Sequence, residues 1–315
     1  MTTLVLVNAK SGAVRDRGRN ALLTEIRDSF AAAGAEAEIL AIHPRELTGR
    51  IRAALGGASP PETLVVGGGD GSLSCAAGLL AGTGTTLGVL PLGTMNLFAR
   101  ALGMPLDPAE ATGALVGARR VEIDLLDING RTVLLHASIG LQPRIIRIRE
   151  MLPYRTRLMR LTNGLIAWIR ATRRLRPVRI TGQTDHGSFE RAASALLISN
   201  NALSEGLGEA PVAHDLTRGE IAVYICASNR RSDLVKLALA GSLGLWRQSD
   251  LVEEIITRQL DIDTRKRTLL LALDGELARM EPPLACRSRR RSLAVLIPRQ
   301  DGTGGADANA REAVL

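Results

Sequence analysis

Cysteine is scarce in this chain, and its few copies form no pattern. Only Cys75, Cys226 and Cys286 occur among 315 residues. They are odd in number, far apart and without a CxxC or a nearby histidine, so neither a disulfide framework nor a zinc site is supported. No apolar run approaches the roughly 18 uncharged residues of a membrane-spanning helix, and no basic segment precedes the first apolar run, as it would in a signal peptide. We therefore expect a cytoplasmic protein.

Aromatic residues are also rare, at 2% of the chain. Stacking platforms for single-stranded nucleic acid are thus nearly absent, and we expect no nucleic-acid partner. The net charge of +8 nevertheless indicates an anionic partner, such as a nucleotide or an anionic lipid surface. Four histidines are scattered without metal-ligand spacing and are predicted to be structural. They are His43, His136, His186 and His214.

Residues 1–118 alternate short apolar runs with stretches of helical periodicity. The pattern predicts strands at 3–7, 37–41, 63–66 and 86–90, helices at 20–33, 44–55 and 72–80, and a glycine turn at 67–71. Strands that are apolar throughout, rather than on alternate residues, are typical of a parallel sheet covered on both faces. We predict a doubly wound α/β domain.

Residues 119–298 are predicted to form a second, β-rich domain. The predicted strands lie at 121–126, 132–139, 178–181, 193–198, 221–227, 251–262, 268–273 and 293–297, with helices at 157–174 and 232–245. The tail at 299–315 is rich in Gly, Ala and Asp and is predicted to be disordered.

The most informative segment is Gly67-Gly68-Gly69-Asp70-Gly71-Ser72, where a buried strand breaks into glycines before a helix. Such a turn directs backbone N–H groups and the positive end of a helix at an anion, and predicts a phosphate site. A carboxylate there would repel phosphate unless it binds a metal or takes a proton from an attacking hydroxyl, so Asp70 suggests transfer chemistry. The structural alternative is an ordinary turn in which Asp70 or Ser72 caps the next helix.

A second glycine turn, Pro91-Leu92-Gly93-Thr94-Met95-Asn96, follows the next predicted strand. Neighbouring parallel strands end at the same edge of a sheet, so both turns can reach one ligand. Neither segment has the GxGxxG spacing of dinucleotide-binding folds or the Gly-Lys-Ser/Thr of a Walker A loop.

Four segments together resemble the diacylglycerol kinase catalytic family, which includes bacterial lipid kinases and sphingosine kinases. They are NAKSG at 8–12, GGGDGS at 67–72, PLGTMNLFAR at 91–100 and LDGE at 273–276. The resemblance implies an α/β nucleotide domain and a β-sandwich domain with ATP between them, as in NAD kinase and diacylglycerol kinase folds. It also implies transfer of the ATP γ-phosphate, as MgATP, to a lipid hydroxyl of a diacylglycerol or sphingoid type.

The resemblance also implies roles for particular residues. Glu276, Asp274 and Asp70 are the candidates for the carboxylate that prepares the acceptor hydroxyl. The nucleotide-binding candidates are Asn8, Ala9, Lys10, Ser11, Gly12, Gly68, Gly69, Asp70, Gly71, Ser72, Leu73, Ser74, Thr94 and Asn96. For Leu273–Glu276 alone, a hairpin turn is the structural alternative.

The chain departs from the family pattern at several positions. The family usually has Pro where Ala9 stands, Asn-Glu where Ser74-Cys75 stand, and Asp where Leu97 stands. A structural magnesium site after Ala210-Pro211 is not assigned, because Arg218-Gly219 stands where Asp-Gly is usual. The ligands of the magnesium ion in MgATP therefore remain open.

Two apolar stretches with basic flanks, 158–176 and 235–246, are candidates for transient membrane contact. The alternative is that both are helices packed against their own domain. A homodimer is compatible with the sequence. Two other functions are left open: an NAD kinase, disfavoured because no Asn-Glu pair is present, and a weakened nucleotide- or lipid-binding protein.

Overall fold

The computed structural model describes residues 3–152, 157–173, 175–204, 211–228, 230–242, 244–247 and 249–299. The predicted tail lies outside this part of the chain from residue 300 onward. The described residues form a mixed α/β structure with two sheets, one of ten strands and one of six.

Parallel strands and helices alternate through the first half of the chain. Four strands pair in the order β2-β1-β3-β4, all parallel. The strands are β1 (Thr3–Asn8), β2 (Glu38–Ile42), β3 (Thr63–Gly68) and β4 (Thr86–Pro91). The helices are α1 (Gly12–Arg17), α2 (Arg19–Ala32), α3 (Leu47–Leu55), α4 (Asp70–Leu80), α5 (Leu97–Ala101) and α6 (Pro108–Val116), with a 3-10 turn at Pro44–Glu46. The parallel sheet that the apolar runs predicted is present, whereas its doubly wound topology stays a prediction.

The second sheet has the order β12-β11-β10-β7-β14-β15. Its strands are β7 (His136–Gly140), β10 (Ala195–Asn200), β11 (Ile221–Cys226), β12 (Val252–Thr257), β14 (Leu269–Leu273) and β15 (Glu276–Met280). All its neighbours are antiparallel. In the described residues, helices α7 (Leu141–Glu150) and α8 (Arg157–Arg173) follow β7, and α9 (Arg231–Ser242) follows β11.

The first sheet does not end at residue 118 but continues into the second half of the chain. Strand β16 (Leu284–Ile297) pairs with β4 in parallel and with β5 (Arg119–Ile128) and β13 (Gln259–Asp263) in antiparallel fashion. The remaining strands of this sheet are β6 (Arg131–Val133), β8 (Val178–Thr184) and β9 (Gly187–Ala193). A division into domains 1–118 and 119–298 therefore stays a proposal, and in it β16 crosses the boundary.

Two large apolar cores lie along this continuous sheet. The first contains buried residues of β1, β3, β4 and their helices, together with Ile123, Leu293 and Val295 from the later chain. The second lies between the two sheets, where Ile180 and Leu284 of one meet Ile139 and Ile198 of the other. This face-to-face packing is the arrangement expected of a sandwich.

Several predicted boundaries were wrong. The glycine turn at 67–71 is shorter, because Gly67 and Gly68 pair in β3 and α4 already begins at Asp70. The predicted strands 132–139 and 251–262 are each two strands, and the predicted strand at 293–297 begins at Leu284. Helices α1, α5, α6 and α7 and strands β9 and β15 were not predicted.

None of the helices in the described part of the chain combines the length and the apolar run that crossing a bilayer requires.

Candidate functional site

The ends of β1, β3 and β4 meet the hairpin between β14 and β15 at one place on the molecule. A Cβ added to Gly93 would lie 2.5 Å from the Cα of Gly69, so the two glycine turns are in direct backbone contact. A Cβ on Gly71 would lie 2.7 Å from Oε1 of Glu276, so the hairpin brings that carboxylate beside the first turn of α4. The four segments that the sequence singled out are thus brought together.

The NAKSG segment lies beside the two glycine turns at the same site. Asn8 donates from Nδ2 to Oγ of Ser72 at 3.0 Å, which joins the end of β1 to the first turn of α4. Its Oδ1 accepts from the backbone N–H of Lys10, and Oγ of Ser11 accepts from the N–H of Val14 and caps α1. A side-chain network therefore fixes the shape of the 8–12 loop.

The glycines of these turns are required for space rather than for a left-handed backbone. Gly68 would place a Cβ 2.7 Å from the Cβ of Ser72, and Gly67 would place one 2.8 Å from a methyl of Leu92. Gly67, Gly68, Gly71 and Gly93 have no positive φ. Neighbouring protein atoms therefore occupy the space that a side chain at these positions would need.

Asp70 is the first residue of α4, yet it caps a different helix. Its Oδ1 accepts from the backbone N–H of Phe98 at 3.0 Å and so satisfies the start of α5. The structural alternative in the sequence analysis was that Asp70 caps the helix after the glycine turn, which is α4. In the structure its side chain caps α5 instead. This bond fixes the carboxylate at the mouth of a cavity that Asp70 lines.

Two predicted nucleotide contacts have their polar groups engaged within the protein. The Asn96 backbone is left-handed, with φ of 49°, and its side-chain amide bonds both the N–H and the carbonyl of Gly93. Leu73 is fully buried, and its N–H donates to the carbonyl of Gly69. Asn96 therefore shapes the second turn, and Leu73 anchors α4 in the core. Thr94, by contrast, is exposed and lines the cavity.

Asp274 is a buried carboxylate with four hydrogen-bond donors. The N–H groups of Leu135 and His136 donate to Oδ1 at 2.8 and 3.1 Å, and the N–H of Leu134 donates to Oδ2 at 2.8 Å. Oγ of Ser74 donates to Oδ2 at 2.5 Å. Because Asp274 and Gly275 both have positive φ, the tight turn that was the structural alternative is present, and it also aims this carboxylate inward.

The departures from the family pattern at Ser74 and Cys75 have local roles. Ser74 supplies the hydroxyl that ties α4 to Asp274. The thiol of Cys75 lies 3.3 Å from Oγ1 of Thr48 and connects α4 to α3. Ser74 was predicted to contact nucleotide, but its described contact is with the hairpin.

A cavity of about 600 Å³ opens beside Asp70. Its walls come from both halves of the chain: Thr94 and Leu97 near α5, His136 at the start of β7, Ile146 of α7, and Asp274 of the hairpin. It is further lined by Arg15, Met95, Leu135, Gln142, Arg149, Glu150, Asn163 and Gly275. Aliphatic side chains therefore share the cavity wall with carboxylates, a histidine and other polar side chains.

His136, which the sequence analysis predicted to be structural, lines this cavity. Burial lowers the pKa of its imidazole, against the opposing effect of the Asp274 and Asp70 carboxylates. Gln142 approaches the ring, with 3.4 Å between its Nε2 and Nε2 of His136. No motif marks either residue, because β7 and the unpredicted α7 bring them to the cavity.

The carboxylates here do not form a closed metal cage. Among the described residues, no group of three His, Cys, Asp or Glu side chains is placed to hold a metal ion. Asp215, near the doubtful structural magnesium site, instead bonds Thr217 and Arg218. Burial tends to raise the pKa of Asp215, but these bonds bring it below the usual value.

Comparison with protein families gives a match over residues 2–128 to the diacylglycerol kinase catalytic domain. Among curated proteins, the chain is 48% identical over 85 residues to "Probable lipid kinase YegS-like" of Pseudomonas aeruginosa, covering 26% of this chain and 28% of that protein. A protein of the same name from Klebsiella pneumoniae is 40% identical over 81 residues, covering 25% and 27%. The matched stretch spans about a quarter of the length of these relatives.

Among solved structures, a diacylglycerol kinase from Bacillus anthracis str. Sterne superposes with a TM-score of 0.70. The identity is 18%, and the match covers 95% of this chain and 97% of that one. Another structure from the same organism gives a TM-score of 0.73 at 20% identity, covering 95% and 98%. At these identities the likeness shows the fold, and it extends over both halves of the chain.

Proposed function

We propose that this chain, whose residues 2–128 match the diacylglycerol kinase catalytic domain, is an ATP-dependent lipid kinase of that family. One observation carries the proposal. Two touching glycine turns and the carboxylate of Glu276 form one site, and a largely aliphatic cavity begins at Asp70 beside it. A phosphate donor and an apolar alcohol can thus meet at one carboxylate.

The nucleotide is proposed to bind along the ends of β1, β3 and β4. The first N–H groups of α4 have no partner within the helix, and the helix dipole favours negative charge at this end. We assign the phosphates to Gly69, Gly71 and Thr94, and the loop 8–12 to the remainder of the nucleotide. Asn96, Leu73 and Ser74 then support these turns rather than contact the ligand.

The three carboxylates are proposed to have different roles. Asp70 orients the acceptor hydroxyl, because it lies at the cavity mouth and is fixed through a single oxygen by Phe98. Asp274 is a positioning residue, since four donors already occupy its oxygens. Phosphoryl transfer needs mainly positioning and charge stabilisation, so one oriented hydroxyl and a held triphosphate suffice.

A magnesium ion fits this site as MgATP rather than as a protein-held ion. Mg²⁺ is commonly bound through one or two carboxylates together with substrate phosphates. Glu276 is exposed beside Gly71 and is the residue we propose for this contact. When bound, the ion neutralises charge on the transferring phosphate.

Transient contact with a membrane surface is proposed on α7 and α8, which border the cavity, and on α9, which packs against α8. Met151, Leu165 and Leu239 are 74%, 62% and 60% exposed, and they lie after α7, on α8 and on α9. Helix α8 packs against both α7 and α9, and Arg149 and Arg173 are exposed on the same helices. Exposed apolar groups with basic neighbours favour an anionic lipid interface. A peripheral location in the cytoplasm is the corresponding proposal.

The proposal is tested by radiolabel transfer from MgATP to a panel of lipid alcohols in mixed micelles. We expect product with the unmodified chain and a fall in kcat of about 100-fold or more for Asp70→Asn, the size typical of a lost acid–base group. Asp28→Asn, an exposed aspartate on α2, is the matched control. Transfer to NAD in the absence of lipid, or ATP binding without transfer to any acceptor, would overturn the proposal.

A further inference from the structure

The cavity wall around Asp70 contains more hydrogen-bonding groups than a single hydroxyl needs. Asp70 is sufficient to orient a reacting hydroxyl, yet His136 and Gln142 line the same wall. His136 belongs to the described residues of β7, and Gln142 lies in the first turn of α7, six residues later. Two side chains of different elements thus line the same cavity as Asp70, together with aliphatic groups such as Leu97 and Ile146.

The backbone of His136 is fixed on both sides. Its N–H donates to Oδ1 of Asp274, and its carbonyl accepts from the N–H of Asp274. Its strand is also paired with β10, where His136 lies opposite Ser199. The imidazole consequently projects from a rigid support, which is what a recognition group needs in order to discriminate between ligands.

The imidazole is held in the form that both donates and accepts hydrogen bonds. Burial lowers the pKa of His136 although two carboxylates oppose that change. A neutral ring has one N–H donor and one acceptor nitrogen. The amide nitrogen of Gln142 faces Nε2 of the ring. The long N–N distance of 3.4 Å leaves this contact weak enough for a ligand oxygen to replace it.

We infer that His136 and Gln142 form an acceptor-recognition pair, which binds a second oxygen next to the hydroxyl that Asp70 orients. The ligand class is a lipid alcohol with such an oxygen, for example a glycerol bearing an acyl ester and two hydroxyls. A plain long-chain alcohol fills the aliphatic walls formed by Leu97, Leu135 and Ile146 but leaves the pair without a partner. This inference rests on the proposed kinase function and adds the substrate feature that the site selects.

The test compares two acceptors of equal chain length, a monoacylglycerol and a primary alcohol, in mixed micelles with MgATP. A site built to bond a substrate oxygen rejects the analogue that lacks it. The unmodified chain should therefore prefer the monoacylglycerol by at least tenfold in kcat/KM. His136→Leu should lower kcat/KM for the monoacylglycerol about tenfold, change the value for the alcohol by less than about twofold, and leave KM for ATP unchanged.

Further variants separate recognition from folding. Gln142→Met keeps the length of the side chain and should reduce the preference in the same direction, by less. His136→Asn keeps a donor and an acceptor and should recover part of the preference. Equal losses on both acceptors, or an undiminished preference in His136→Leu, would overturn the inference. Thermal unfolding of each variant shows that the fold is retained.

A binding measurement separates this inference from the kinase proposal. The imidazole NMR signals of His136, identified by their absence in His136→Asn, should shift with monoacylglycerol micelles and not with alcohol micelles. If this shift occurs but no lipid is phosphorylated, the recognition pair stands and the kinase proposal fails. If lipid is phosphorylated but the signals respond equally to both micelles, the kinase proposal stands and the recognition pair fails.

Discussion

Two buried aspartates, Asp274 at the cavity and Asp124 at the junction of the two cores, both accept hydrogen bonds from backbone N–H groups, but in different surroundings. Asp274 has four donors and is 8% exposed, whereas Asp124 is completely buried. Asp124 accepts from the N–H of Gly219 at 2.5 Å and from the N–H of Arg291 at 2.8 Å. The second bond exists because β16 has an irregularity between Arg289 and Leu293, with a positive φ at Arg291.

The comparison indicates that the number of hydrogen bonds to a buried carboxylate does not by itself determine how much that carboxylate contributes to folding stability. Water from the cavity can reach the donors around Asp274, so part of their loss can be recovered. No water can easily replace the oxygens of Asp124, whose donors would remain unsatisfied in the interior. We expect Asp124 to matter most for stability and Asp274 to matter most for the cavity.

The largest expected effect is that of Asp124→Ala. Two buried N–H groups lose their partners, and we expect a loss of about 4 kcal/mol in the free energy of unfolding, measured by urea denaturation. Asp127→Ala in the same strand, which removes only a turn bond to the N–H of Gly130, is the control. A loss from Asp124→Ala no larger than that of the control would break the comparison.

Asp274→Ala should have the next largest effect on stability, about 2 kcal/mol, because water can occupy part of the vacated space. The same change should lower kcat/KM for the lipid acceptor at least tenfold, since His136 and Leu135 lose their anchor. Urea denaturation and the micelle assay measure the two effects. A stability loss that exceeds the loss for Asp124→Ala would contradict the comparison.

Ser74→Ala sharpens the comparison by removing one donor and leaving the carboxylate in place. We expect a loss of about 1 kcal/mol in the free energy of unfolding, the size of one hydrogen bond to a charged group less the recovery by water. Because Ser74 is not assigned to the nucleotide, KM for ATP should not change. A rise in KM for ATP would show that its hydroxyl contacts the ligand after all.

The smallest expected effect concerns pH. The folded-state pKa of His136 is lowered by burial, so its contribution to stability is present above the unfolded value of about 6.5 and is lost as the pH falls. Asp70 and Asp274 oppose this change and so reduce the effect. Between pH 7.5 and 5.5, the melting temperature of the unmodified chain should fall more than that of His136→Asn. Equal falls would show that the imidazole titrates as it does in the unfolded chain.

Much of the first half could be predicted from its sequence, because local signals define it. Apolar runs such as Leu64–Val66 indicate buried strands, and the glycines after them mark the turns where the ligand site was expected. The four segments of the resemblance are brought together, as predicted. The edge of the glycine turn was misplaced because Gly67 and Gly68 pair with β4 despite having no side chains.

The second half was less predictable, since its elements depend on contacts between distant residues. Helix α7 was missed because Pro143 and three arginines obscure its periodicity, although proline is tolerated in a first helical turn. Strand β9 is largely exposed and has no apolar alternation, and β15 is only five residues long. With α7 absent from the prediction, Gln142 and His136 had no reason to be placed together.

Strand β16 also constrains the order in which the molecule is completed during synthesis. Its last residues, Leu293–Ile297, pair with β5, and Val295 also pairs with β4, about 200 residues earlier in the chain. Until this strand has emerged from the ribosome, Leu87 and its neighbours at the edge of the early sheet lack their strand partner on that side. The edge of the early sheet at β4 therefore stays open until β16 has been synthesised and has paired with it.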